Sequence, residues 1–302
     1  MDFLTFHFNV SGIDVNILIP PLVAFVISFF TSMGGVSGAF LIVPFQMSVL
    51  GFTAPSVSST NFLYNIIGIP GGVYRYFKEG RISWPLTWVI IAGTLPGVFF
   101  GYLIRIKYLP NPSAFKFFVG MVLFYIGLKL FKSFFNKGEE GKKPNKNDAS
   151  FKITNVSFSL NTVGYDFNNQ RVTFSTKGMF LLAAIVGIIG GIYGIGGGAI
   201  IAPFCVTVFR LPVYTVSGAA LMGTFITSIL GILFYTFIPM QGMVYPPDWG
   251  LGILFGIGGL GGMYLGAKCQ KYFSERFIKT MLGAIILFVS IDYIYQFIRK
   301  IF

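Results

Sequence analysis

A stretch of twelve residues occurs twice in this chain. Gly34-Gly35-Val36-Ser37-Gly38 leads through an apolar run to Pro44-Phe45, and Tyr193-Gly194-Ile195-Gly196-Gly197-Gly198 leads through another to Pro203-Phe204. Gly35 and Gly194, Gly38 and Gly197, and Pro44 and Pro203 all stand 159 residues apart. Val57-Ser58 and Val216-Ser217 keep that offset, whereas Gly97/Gly101 and Gly262/Gly266 stand 165 apart. A repeat at that distance in a chain of 302 residues means two halves of one architecture. The six extra residues of the second half fit most simply near Pro246-Pro247.

The halves must sit in a membrane. Hydrophobic residues make up 54% of the chain, charged residues 11%, and the mean hydropathy is +0.75. Soluble domains carry about 25% charged residues. Apolar runs at 15–33, 36–51, 56–74, 84–104 and 113–135 are matched by runs at 178–195, 196–211, 213–238, 248–268 and 277–298. Most have the length of a membrane span, but 36–51 and 196–211 do not: sixteen helical residues cover about 24 Å against a hydrocarbon core of about 30 Å. These two are half-helices or spans completed by irregular backbone. With Asp2 and Asp14 and no Lys or Arg, the N-terminus does not read as a cleaved leader. The run from Val15 is therefore expected to be a retained first span.

The net charge of +12 lies between the apolar runs, which excludes nucleic acid as a partner and marks topology instead. If every run crosses, segments 75–83, 136–177 and 268–279 share one side with three, seven and four basic residues. The other side holds the N-terminus, 105–116, 239–247 and the C-terminus, with none, three, none and two. The basic side is expected to be cytoplasmic. Five crossings is an odd number, so the second half is inverted relative to the first. Re-entrant short segments would make the halves parallel and fit the charges worse. Arg105, Lys107 and Lys116 run against the rule even so.

The expected fold is an all-α polytopic membrane protein of two inverted repeats, residues 1–135 and 178–302, joined by a small soluble insert at 136–177. The insert reads as a β-hairpin of Val156–Leu160 with Val172–Phe174, turning near Asn168-Asn169, or else as a disordered linker.

Cys205 and Cys269 lie far apart, and His7 is the one histidine. This inventory assembles neither a zinc site nor a histidine-based catalytic set, so no metal, no cofactor and no enzymatic activity is expected. A helix starting inside the membrane points free amides and a partial positive charge at what precedes it. Glycines let a ligand come close to such backbone. Gly35, Ser37, Gly38, Gly194, Gly196, Gly197 and Gly198 are thus candidates to hold an anion, the alternative being that they only permit tight packing. Ser58, Asn61, Asn65, Ser217 and Thr224 are candidate side-chain donors; hydroxyls can equally bond their own helix or a neighbour. Asn61 and Asn65 share a helix face and satisfy themselves least easily. The Gly93/Gly97/Gly101 and Gly258/Gly262/Gly266 stripes read as helix-packing surfaces. Arg75, Arg105 and Arg210 lie at segment ends, where they could attract anions or snorkel, and snorkelling is the default.

On the doubled glycine–apolar–proline stretch and the paired glycines at 97/101 and 262/266, the chain resembles the TauE/SafE family of sulfite exporter-like permeases. The resemblance spans roughly 15–135 and 178–298. Ser37 and Ala39 depart from it, standing where the second copy has Gly196 and Gly198. It implies export of a small sulfur oxyanion or sulfonate, such as sulfite or sulfoacetate, by alternating access in the cell membrane. The expected partners are that anion and the lipid bilayer, with a homo-oligomer left open. A permease for another small anion, or a membrane scaffold acting through 136–177, are the alternatives.

Overall fold

The computed structural model describes residues 4–135, 152–240 and 242–301. Ten α-helices are found among them: α1 (Ile19–Met33), α2 (Ala39–Ser48), α3 (Ser56–Lys78), α4 (Trp84–Tyr108), α5 (Pro112–Phe135), α6 (Thr176–Tyr193), α7 (Gly197–Val208), α8 (Val213–Phe237), α9 (Trp249–Cys269) and α10 (Glu275–Ile301). Each corresponds to one apolar run. Local chemistry sets several boundaries. Pro20-Pro21 opens α1, where missing amides cost nothing. Ser175 caps α6 by accepting from the Gly178 amide, and Asp248 caps α9 by accepting from Leu251.

Helices α4, α6, α8 and α9 (with its extension to Tyr272) are long and apolar enough to cross a membrane. The short segments are shorter still than the apolar runs suggest. α2 has 10 helical residues and α7 has 12, about 15 and 18 Å of helix, or roughly half a hydrocarbon core.

Two differences from the sequence reading lie outside the helices. The run from Val15 is not helical throughout. Residues 13–16 form β2 (Ile13–Asn16), paired antiparallel with β1 (Thr5–Phe8), and α1 begins only at Ile19. Phe8, Ile13 and Val15 are buried, so the alternation Ile13-Asp14-Val15-Asn16 was the available signal. In the central segment, Val156–Leu160 does not pair with Val172–Phe174. A third strand, β4 (Thr162–Phe167), lies between β3 (Thr154–Phe158) and β5 (Gln170–Ser175) and pairs antiparallel with both. Asn168 and Asn169 turn β4 into β5 with left-handed φ of 51° and 59°. The first part of the central segment, 136–151, lies outside the described residues.

Glycine stripes set how the helices pack. Gly258, Gly262 and Gly266 of α9 meet the backbone of Pro21, Phe25 and Phe29 of α1, with the Ser32 hydroxyl also against Gly266, so these helices run parallel in close contact. Gly93, Gly97 and Gly101 of α4 meet Ala183, Ala184 and Ile188 of α6 in the same way. Both stripes are thus packing surfaces, as expected. α3 packs on α8 and α9, and α5 packs on α10.

The ends of the bundle are tied by polar contacts. At one end Ser11 donates to Asp248 (amide 3.0 Å, hydroxyl 2.9 Å) and Ser59 donates to the Tyr245 carbonyl at 2.7 Å. At the other, Arg81 donates to Gln270 at 2.6 Å, the Ile153 amide to Gly80 at 3.1 Å, and the Tyr165 and Thr215 hydroxyls bond at 2.7 Å. They are called below the β1–β2 end and the β3–β5 end.

Candidate functional site

The two glycine clusters each join the end of one helix to the start of the next. Gly35 and Gly194 take left-handed φ of 72° and 78°. The Gly194 amide returns to the Gly190 carbonyl, closing α6 as a left-handed glycine cap does. Gly38 and Gly196 then stand at the N-caps of α2 and α7. Each cluster therefore presents leftover carbonyls as well as leftover amides.

Asn61 draws the clusters together. Its Nδ2 donates to the Gly194 carbonyl at 2.8 Å and to the Ala39 carbonyl at 3.2 Å, one group from each half. Asn65, one turn on, donates to the Ile195 carbonyl at 3.0 Å and to Ser228 Oγ at 3.2 Å. The Tyr193 hydroxyl donates to the Phe40 carbonyl at 2.5 Å. The loops thus meet deep in the bundle, where Ser37, Ser58, Asn61 and Asn65 are all fully buried.

The contacts exchange between halves. Gly35 lies against Ser217, so that an added Cβ would come within 2.5 Å of the Ser217 Cα; Gly194 meets the Ser58 Cα at the same 2.5 Å. Tyr76 and Tyr235, 159 residues apart, complete the pattern. Tyr76 lies beside Ser217 and donates to the Ser32 carbonyl, while Tyr235 lies beside Ser58. Each tyrosine also has a buried arginine neighbour, Arg81 for Tyr76 and Arg105 for Tyr235. Of these four the sequence singled out Arg105 but not Arg81 or the two tyrosines, although the offset of 159 was there to find the tyrosines.

Other candidates have structural partners. Ser217 donates to the Val213 carbonyl at 2.7 Å and Thr224 to Ala220 at 2.9 Å, back into their own helix. Gly196 and Gly198 face Thr224, and Gly38 faces the Tyr64 and Ser28 hydroxyls. Gly197 lies against Thr94, with the Gly187 backbone close by. The amides of Asn61 and Asn65 are engaged with carbonyls, so the atoms they leave without partners are their Oδ1 acceptors. Ser37 Oγ and both amide atoms of the fully buried Gln46 also lack partners among the described residues. Buried polar atoms without partners cost free energy.

Arg105 does not snorkel. It is fully buried, as is Arg81, while Arg75 pairs with Glu79 across one helical turn at 2.5 Å. Among the described residues no group of three or more His, Cys, Asp or Glu could hold a metal ion.

A helical bundle with several membrane-length apolar helices and a polar centre built on broken helices defines a polytopic membrane protein of the transport class. The chain belongs to the sulfite exporter TauE/SafE family: the family model matches residues 21–293 of 302. No curated protein and no solved structure matched the chain.

Proposed function

We propose that the protein is a secondary transporter that exports a small sulfur oxyanion or sulfonate, such as sulfite or sulfoacetate, by alternating access. The observation that carries this reading is the meeting of the two broken-helix loops at Asn61, deep in the bundle. Family membership supplies the substrate class. The halves act as inverted repeats. The exchange of Gly35–Ser217 for Gly194–Ser58, and of α1 on α9 for α6 on α4, supports that relation. Helix starts near Gly38 and Gly196, with Ser37 and Ser58, present amides and hydroxyls to the anion.

Closure at the β3–β5 end uses Gly35, Ser217, Tyr76 and Arg81, and closure at the β1–β2 end uses Gly194, Ser58, Tyr235 and Arg105. The β3–β5 end, with its Lys and Arg excess, faces the cytoplasm of a cell membrane.

Sulfite flux into proteoliposomes holding the purified protein tests the reading, with sulfoacetate and acetate as competitors. Saturable flux inhibited by sulfoacetate and not by acetate is expected. Absence of flux for all three anions would contradict it. Bulky substitutions at Gly38 or Gly197 are poor probes of binding. An added Cβ would come within 2.5 Å of the Tyr64 hydroxyl at Gly38 and within 2.4 Å of Thr94 Cβ at Gly197, so folding would suffer along with transport.

A further inference from the structure

Two buried arginines flank the centre, and among the described residues only one has a carboxylate partner. Arg81 forms a short ion pair with Glu79 and donates to Gln270 Oε1 at 2.6 Å and to the Ala267 carbonyl at 3.3 Å. Arg105, in the last turn of α4, has no carboxylate in ion-pairing range among the described residues. Its Nη1 donates to the Leu109 carbonyl and its Cζ lies 3.8 Å from the centroid of the Phe115 ring. Nε and Nη2 have no hydrogen-bond partner among the described residues, although the side chain is fully buried. Proteins pair buried cations because an unpaired one costs several kcal/mol. Tyr235 and Tyr245 are its polar neighbours, and Tyr102 packs on Tyr235 with ring centroids 4.8 Å apart.

We propose that Arg105, with Tyr235 beside it, is an occluded anion-binding site at the β1–β2 end. There a small oxyanion or sulfonate head group supplies the counter-charge that no described residue supplies. Nε and Nη2 form the edge of a guanidinium suited to bidentate contact with two oxygens of such a group. The Phe115 ring holds the plane in place. Because Tyr235 also lies beside Ser58, the site continues into the Gly194 loop and gives the anion a stop between the centre and the membrane face. The assignment also removes an anomaly of topology. Arg105 breaks the charge bias of its side because it points into the protein and is no topology signal. This rests on the reading of the protein as an anion transporter.

The same chemistry could be met by a lipid phosphate, so the test separates the two sources. Thermal unfolding of the purified protein in detergent is followed against increasing sulfite, against chloride at equal ionic strength, and against phosphatidylglycerol. The wild type should be stabilised saturably by sulfite and not by phosphatidylglycerol. Arg105→Gln should raise the sulfite concentration for half-maximal shift about tenfold or more. Arg105→Lys, which keeps charge but loses the fork, should fall between, and serves if the Gln variant does not fold. Lys107→Gln removes an exposed charge from the same turn and should leave the response unchanged. A response to phosphatidylglycerol alone, no response to sulfite, or an unchanged response in the Arg105 variants would each overturn the proposal. Sulfite flux measured on the same samples keeps the two readings apart. Loss of the Arg105-dependent shift with flux intact overturns this site only; absent flux with the shift intact overturns the transport reading only.

Discussion

Asn61 shows how much one side chain does here. Its amide nitrogen donates to a carbonyl from each half. Asn61→Leu keeps similar volume and removes both bonds. It should lower unfolding stability by about 1–3 kcal/mol, since two buried hydrogen bonds between the halves are lost. A thermal midpoint equal to that of the wild type would contradict this. The sequence indicated that Asn61 and Asn65 share one helix face, because they are four residues apart. It did not indicate what they bond. The acceptors at Gly194 and Ile195 lie in the other half, and only the fold brings them near. Their amide donors are engaged within the protein, so on the proposed reading an entering anion meets hydroxyls, helix-start amides and Arg105 instead.

Whole elements were easier to read than their contacts. Apolar length and glycine punctuation located ten helices to within a few residues, because membrane helices must satisfy their own backbone. Strand β4 was missed although Val163, Tyr165 and Phe167 are buried and alternate with Gly164 and Asp166, the period-two pattern of a half-buried strand. The stripe Gly93/Gly97/Gly101 was legible as a packing surface, and its partner α6 was not. In Gly97→Leu the added Cβ would come within 2.5 Å of the Ala184 carbonyl oxygen, which is backbone and cannot step aside. We predict a loss of about 1–3 kcal/mol or more, read as a lowered thermal midpoint. Wild-type stability would show that α4 and α6 are not in contact there. In the sheet, Asn155 and then Arg171 hold the Asp166 carboxyl below its ordinary range. A carboxyl depressed on folding adds stability above its unfolded value of about 4 and loses it as pH falls further. Amide-exchange protection of β3–β5 should therefore weaken in acid, and Asp166→Asn should flatten that dependence. An Asn variant with the wild-type pH profile would contradict it.

At the scale of the molecule, the doubled sequence becomes a doubled set of contacts around one centre. Gly35 with Ser217 and Gly194 with Ser58 are the same contact made at opposite ends, each beside a buried tyrosine. On the proposed alternating-access reading, one contact opens while the other stays closed, and substrate at the centre shifts the balance between the two states. The most direct test uses Ser58→Cys and Ser217→Cys, introduced singly after replacing Cys205 and Cys269. Labelling by a membrane-impermeant thiol reagent is measured from each side of oriented vesicles, with and without sulfite. The account predicts that Ser58→Cys is labelled only from the β1–β2 side and Ser217→Cys only from the β3–β5 side. Sulfite should move the two labelling rates in opposite directions. Labelling of both positions from the same side, or rates that ignore sulfite, would contradict alternating access between inverted halves.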